Sequence, residues 1–487
     1  MNKEIVQLEP KRIWNNFSKL NAVPRPSKKE GRVIEFMLNF GRSLQLETFK
    51  DEVGNVIIRK DASIGMEDRK PITLQSHLDM VHQKNSSTDF NFDTQGIEMY
   101  IDGDWVKARG TTLGADNGMG VAAIMSLLES NDIPHPPLEA LFTIDEETGM
   151  TGAKGLKGGI LKGQILLNLD TEEDNEIDIG CAGGIDITAT RTYEAENVSK
   201  ESIAYVIGVK GLHGGHSGMD IHRGFGNANK IMNRLLYKST EEYGVRISQI
   251  DGGSLRNAIP RESFATVVLK TDRKKDFENK ISDWIQEIKL ENSFIETKLE
   301  VSLNEVEVPD EVMEKSAQEK ILKAIYAAHN GVYAMSAAIP DLVETSNNIA
   351  RVEVKSGKIR IGCLTRSSVD TAKMDLANSL KCVFELADCT VTLSGEYPGW
   401  SPNPNSEILE VLKVQYESLF NEEPEVVACH AGLECGILGN NYPEMDMISF
   451  GPTIKGAHSP DERVSISSVK KFWTFLLQIL KNTPKLE

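Results

Sequence analysis

In LEALFTIDEETGMTG (138–152) an apolar run ends on Asp145, Glu146 and Glu147. Leu141, Phe142 and Ile144 read as a strand entering a core. Carboxylates crowded at the mouth of a buried strand repel one another and lose hydration. Such a stretch is either a solvated turn or a place where one carboxylate holds a metal and its neighbour moves a proton. Four other places carry side chains of the same chemistry. QSHLDMVHQ (75–83) puts His77 and Asp79 two apart after a strand, on one face of an extended chain. His77 could bind an ion while Asp79 orients its ring, although an isolated HxD is more often a surface turn. GTTLGADNGMGVA (110–122) sets Asp116 in a glycine-rich turn that opens a helix. No Lys-Ser/Thr comes after it and the GxGxxG spacing is missing, so neither phosphate-loop reading holds. An Asp in a constrained turn is better suited to bridging two cations. ILLNLDTEE (165–173) ends a strand on Asp170, and SFGPTIKGAHSPDERV (449–464) presents His458 after another.

Together His77, Asp116, Glu147, Asp170 and His458 make two histidines and three carboxylates, a mixed set suited to a pair of zinc or similar divalent ions. VKGLHGGHSGMDIHRGFGNA (209–228) adds His213, His216 and His222, but spacings of three and six in a loop suit a metal poorly. Of these only His216, flanked by glycines that admit a close approach, is a functional candidate. Asn257 in SLRNAIP and Arg366 in CLTRSS could grip a carboxylate or amide, or could cap turns. Nucleophilic alternatives fail: Cys429 and His430 are adjacent, and neither GxSxG nor HExxH occurs.

Periodicity gives the strands and helices that carry these side chains. NVIIR, PITLQS, the run at 138–144 and QILLNL are strand-like, and VAAIMSLLES is helical. Strands separated by helices imply an α/β fold, a mostly parallel sheet flanked by helices, whose carboxyl edge is where ligands bind. The same pattern returns after about residue 395. Between, 185–394 has another texture, two rounds of helix plus strand pair, which predicts an inserted α+β domain made of two similar halves. The expected division is 1–184 with 395–487, and 185–394. At 487 residues two or three domains are expected. A net charge of −18 argues against nucleic acid and anionic membranes as partners. No apolar run is long enough to span a bilayer, the N-terminal stretch lacks a secretory core, and six scattered cysteines fit a reducing cytoplasm.

HLDMVHQ, GTTLGADNG, DEETGMTGA, LNLDTEE, GGHSG, HAGLECG and FGPTIKGAHSPDE, in that order, resemble the aminoacyl-histidine dipeptidases (peptidase D). These belong to the di-zinc aminopeptidase, aminoacylase and carboxypeptidase superfamily, and the resemblance spans nearly the whole chain. It implies a zinc-peptidase catalytic domain with an inserted lid. Asp116 would bridge two Zn2+ ions (Co2+ or Mn2+ as substitutes), with His77 and Asp170 completing one site and Glu147 and His458 the other. Asp79 would hold His77, and Glu146 would be the general base and acid. The Asp116–Asn117 bond would be cis. His216, Asn257 and Arg366 would contact substrate from the lid, and Gly432 would line the substrate pocket. The implied activity is hydrolysis of Xaa-His and other short unblocked dipeptides by a hydroxide bridged by two zinc ions, in a cytoplasmic homodimer. Rival readings are an amidohydrolase of N-acyl amino acids, a tripeptide aminopeptidase, or a catalytically silent binding protein on this scaffold.

Overall fold

The computed structural model describes residues 3–337 and 339–486. The chain divides into two compact units, one of Met1–Gly180, Trp400–Ala428 and Leu433–Glu487, the other of Cys181–Gly399 and Cys429–Gly432.

In the first unit the described residues form an eight-stranded sheet in the order Glu47–Lys50, Val56–Lys60, Leu138–Thr143, Ile72–His77, Ile165–Asn168, Asp446–Ser449, Glu176–Cys181, Glu425–Cys429. The four strands from Leu138–Thr143 to Asp446–Ser449 are mutually parallel, while the pairs involving Glu47–Lys50 and Val56–Lys60 are antiparallel. The sheet is thus parallel where it carries the predicted ligands and mixed towards its edges. Its central strands are buried along their whole length, which is why they read as near-continuous apolar runs. Register aligns His77 with Thr143, and Gln75 and Ser449 each with Asn168. The segments that leave these strands, at 78–79, 144–147, 169–170 and 450–458, therefore leave from one edge.

The helix Ala115–Leu128 is buried on nearly every side and packs beside Lys11–Asn21, whose Ile13, Trp14, Phe17 and Leu20 are fully enclosed. A smaller sheet of Met99–Asp102, Trp105–Ala108, Arg463–Ser465 and Ile454–Lys455 supports a hairpin whose loop contains His458.

The inserted unit is built on an antiparallel sheet ordered Glu300–Val306, Ser202–Lys210, Ser263–Lys270, Arg246–Gly252, Val343–Lys355, Lys358–Ser367, Gly183–Thr192, Thr390–Tyr397, with Gly331–Met335 paired to Val343–Lys355. Alternate residues Ile203, Tyr205, Ile207 and Val209 join Met232, Leu235, Phe277, Ile281 and Trp284 of the helices Ala228–Tyr243 and Lys274–Glu291 in one apolar core. Ile203, Tyr205, Ile207 and Val209 share the face of their strand that the helices cover, and Ala204 on the opposite face is buried in a smaller cluster with Val268 and Val312. Gly183 and Gly184 already pair with Ser367 and Arg366, so the unit starts at the beginning of that strand. Cys429–Gly432 belongs here because the Ala182 amide donates to the Cys429 carbonyl at 2.9 Å and the His430 ring lies 2.8 Å from Ser346 Oγ. Gly432 is therefore part of the inserted unit. No helix among the described residues is long and apolar enough to cross a membrane.

Candidate metal centre

Asp116 stands where the helix Ala115–Leu128 begins, after Gly114 in a left-handed conformation, and the Asp116–Asn117 peptide is cis. Its two oxygens face different histidines. Oδ1 is 3.1 Å from His77 Nε2, and Oδ2 is 3.1 Å from His458 Nε2. His77 Nε2 also lies 3.6 Å from Asp170 Oδ1, and His458 Nε2 lies 3.0 Å from Glu147 Oε2. Two donor sets result, His77 with Asp170 and His458 with Glu147, and Asp116 is shared between them. In each, atoms able to bind an ion lie within 4.8 Å of one another. The sheet edge brings together all five residues expected as ligands.

Asp79 organises this edge from below, fully buried. Its carboxylate accepts from the amides of Glu146 (3.0 Å) and Glu147 (3.3 Å) and from Ser27 Oγ (2.8 Å). His77 Nδ1 lies 3.4 Å from the same carboxylate and 3.2 Å from the Asp79 carbonyl. Asp145, in a left-handed conformation, turns the chain so that both glutamate amides point at Asp79. Its own side chain is buried and accepts from Thr148 and Thr151, so it takes no part in either donor set. The awkward run of three acids thus separates into one structural carboxylate, one beside His458, and Glu146, whose Oε2 stands 4.0 Å from His77 Nε2.

The electrostatics of the cluster are those of crowded, dehydrated acids. Burial pushes Glu146 well above the ordinary carboxylate range; His77 opposes this, while Asp170, Glu434 and Glu147 add to it. Burial likewise raises Asp170. Asp116 moves the other way, because hydrogen bonds from His458 and His77 outweigh its burial. Asp170 Oδ1 and Glu434 Oε1 are buried with no hydrogen-bond partner. Orphaned anionic oxygens of this kind are costly unless a cation satisfies them, on the order of 1–3 kcal/mol or more each. The donors therefore fit divalent ions of the zinc type, by chemistry as well as by grouping.

Three residues of this region carried no role in the sequence reading. Glu434, in HAGLECG, is buried and accepts from Gln75 and Thr143, both at 2.7 Å. Glu462 lies in the same motif as His458, and Arg25 sits between two prolines in VPRPS.

In the inserted unit, Arg366 is 4% exposed and donates to Tyr397 Oη at 2.7 Å, with Nη2 3.5 Å from His216 Nε2. His216 Nδ1 accepts from the amides of Gly218 and Met219, at 3.2 and 3.0 Å, which leaves Nε2 to carry the proton. A side chain at Gly218 would collide with the His430 carbonyl at 1.9 Å, so only glycine lets the two loops meet. His430, discounted in the sequence as a nucleophile's base, belongs to this group. Asn257 is exposed; its carbonyl accepts from Ser217 at 2.8 Å, and its neighbour Ala258 bridges to His216. His213 is instead bound to Glu296 and stacked on Phe225.

With this geometry established, comparison places the chain among known proteins. The family described as peptidase family M20/M25/M40 matches residues 73–482. The cytosol non-specific dipeptidase of Escherichia coli (strain K12) is 42% identical over 481 residues, covering 99% of each chain. The crystal structure of aminoacylhistidine dipeptidase from Vibrio alginolyticus superposes with a TM-score of 0.94 at 42% identity, covering 100% of this chain and 99% of that one. Aminopeptidase PepT from Bacillus cereus shares the fold alone, with a TM-score of 0.57 at 16% identity over 97% and 98% of the two chains.

Proposed function

The chain belongs to peptidase family M20/M25/M40 and is a dipeptidase of that family; on this basis we propose that it hydrolyses Xaa-His and other short unblocked dipeptides using two divalent ions, zinc first among them. The observation that carries this reading is the sharing of Asp116 between the His77 and His458 donor sets. His77, Asp116 and Asp170 would hold one ion, and Asp116, Glu147 and His458 the other. The chemistry such ions supply is Lewis acidity towards water and the scissile carbonyl.

The remaining work falls to the chain's own side chains. Glu146 takes a proton from water and hands it to the departing amine, a role suited to a carboxyl whose pKa burial raises well above the ordinary range. Glu147, beside His458, stays anchored, so the two adjacent glutamates divide holding from shuttling. Asp79 fixes His77 and, through their amides, both glutamates. In the inserted unit, buried Arg366 and the Nε2–H of His216 form a donor pair suited to a carboxylate such as a dipeptide ends in. Asn257, whose carbonyl accepts from Ser217, and Gly432, two residues after His430, complete the proposed substrate residues.

The names of the relatives support the finer points. The Escherichia coli protein is a cytosolic, non-specific dipeptidase, which favours a broad range of dipeptides and a cytoplasmic setting. The Vibrio alginolyticus protein's name favours acceptance of a C-terminal histidine. A homodimer belongs to the same proposal. Exhaustive chelation should abolish activity, and titration with Zn2+ should restore it at two equivalents per chain. Gly-His, β-alanyl-His and other dipeptides should be cleaved ahead of acetyl-amino acids and tripeptides. Indifference to chelation, or turnover confined to the last two classes, would overturn the reading.

A further inference from the structure

We infer that Arg25 and Glu462 are positioning residues, a buried guanidinium and a buried carboxyl group that hold the metal-ligand segments at their working spacing before an ion arrives. This inference rests on the metal reading above. Glu462 is 2% exposed and spends both carboxylate oxygens on one turn. Oε2 accepts from the amides of Leu113 (2.7 Å) and Gly114 (2.9 Å), and Oε1 from those of Ala115 (2.7 Å) and Asp116 (3.2 Å). Arg25, 1% exposed, grips carbonyls of the same region. Its Nη1 donates to Leu78 O (3.0 Å) and Asp79 O (2.9 Å), and its Nη2 to Gly114 O (2.5 Å) and Asn21 Oδ1 (3.2 Å).

These bonds join segments that are distant in sequence and each carry a proposed ligand. Glu462 shares its hairpin loop with His458, between Ile454–Lys455 and Arg463–Ser465, so it ties the His458 loop to the Asp116 turn. Arg25 ties that turn to the backbone between His77 and Asp79. The close fit is visible at Gly114, whose φ is +68° and where an added Cβ would lie 2.6 Å from Arg25 Nη2. The chemistry of the two side chains is specific to the task. Four converging N–H groups need an acceptor with two anionic oxygens, and an amide would turn an N–H2 towards two of them. Divergent carbonyls need a planar fork of donors, which a lysine does not have.

A purely structural pair would lower the melting temperature and leave metal affinity alone; a positioning pair changes metal affinity. In the full-length protein, Zn2+ affinity measured by chelator competition should weaken about 10- to 100-fold in Glu462→Gln and in Arg25→Lys. At saturating Zn2+ the KM for a dipeptide should stay at its wild-type value, and Glu462→Asp, which keeps both oxygens, should recover part of the affinity. Hydrogen exchange in the wild-type protein gives a readout free of folding defects. Amides Leu113 to Asp116 should exchange as slowly in zinc-stripped as in zinc-loaded protein. Fast exchange there in the stripped protein, or wild-type Zn2+ affinity in the folded variants, overturns the proposal. Failure of the wild-type chain to bind Zn2+ at all would instead sink the metal reading.

Discussion

In the unit that carries the carboxylates, His77 and His458 are driven towards the protonated form, whereas in the inserted unit His216 and His430 are driven away from it. Burial disfavours charge on His77, yet Asp170, Asp116 and Asp79 outweigh it and hold its pKa well above the ordinary value. Hydrogen bonds to Asp116 and Glu147 raise His458 to about 11. Burial, reinforced by Arg366, lowers His216 to about 4 and His430 to about 3. The same imidazole therefore serves opposite ends. Surrounded by excess negative charge it marks a place where a divalent cation would replace protons. Kept neutral beside a guanidinium, it becomes a hydrogen-bond donor in a place that favours an anion. The sign of the neighbouring charge, more than the residue type, divides the molecule's chemistry.

The largest expected effect breaks the first half of that contrast. Asp116→Ala removes the carboxylate common to both donor sets, so metal analysis should find both ions lost and activity below detection. Retention of both ions would remove the shared-carboxylate reading. Next, Glu146→Gln should keep its metal while kcat falls by about 10²–10⁴-fold, the usual range for a general acid–base; loss of metal in this variant would mean the two glutamates exchange roles. In the inserted unit, Arg366→Met should cost about 1.5–3 kcal/mol in kcat/KM for free dipeptides, the range for a hydrogen bond to a charged group. C-terminally amidated dipeptides should hardly notice the change, and an equal loss on both would mean that Arg366 does not read the carboxylate.

The smallest effect is in stability. His216 and His430 titrate near 4 and 3 when folded and near the ordinary 6.5 when unfolded. Between those values the unfolded chain binds more protons than the folded one. Their contribution is therefore intact above about 6.5 and is lost as the pH falls towards 4 and then 3. Thermal unfolding should show a midpoint that declines by a few degrees across this window, and His430→Asn should flatten the decline. A midpoint equally steep in the variant would assign the acid sensitivity to other groups.

The α/β pattern and the candidate metal residues were legible because their signals are local. A strand announces itself by its apolar run, and its ligand-bearing neighbour, whether His77, Glu146 with Glu147, Asp170 or His458, is close by in the same short stretch. The resemblance of the ordered motifs named the family, and the comparisons bear that out. Arg25 and Glu462 were not legible. The amides that give Glu462 its purpose lie 346 to 349 residues before it, and Arg25 reaches carbonyls 53, 54 and 89 residues away. His430 was set aside on its adjacency to Cys429, although its partner Ser346 comes from another strand 84 residues earlier.

Chain order alone was enough to name the candidate donors, the elements that end in them and the family to which the chain belongs, since side-chain chemistry and periodicity are properties of short stretches. Three-dimensional packing was needed to settle which oxygen of Asp116 faces which histidine, which carboxylates lose their water, and which histidines keep a proton. Those outcomes depend on dehydration and on Coulomb interactions over a few ångströms between groups hundreds of residues apart, and the order of residues does not encode such distances.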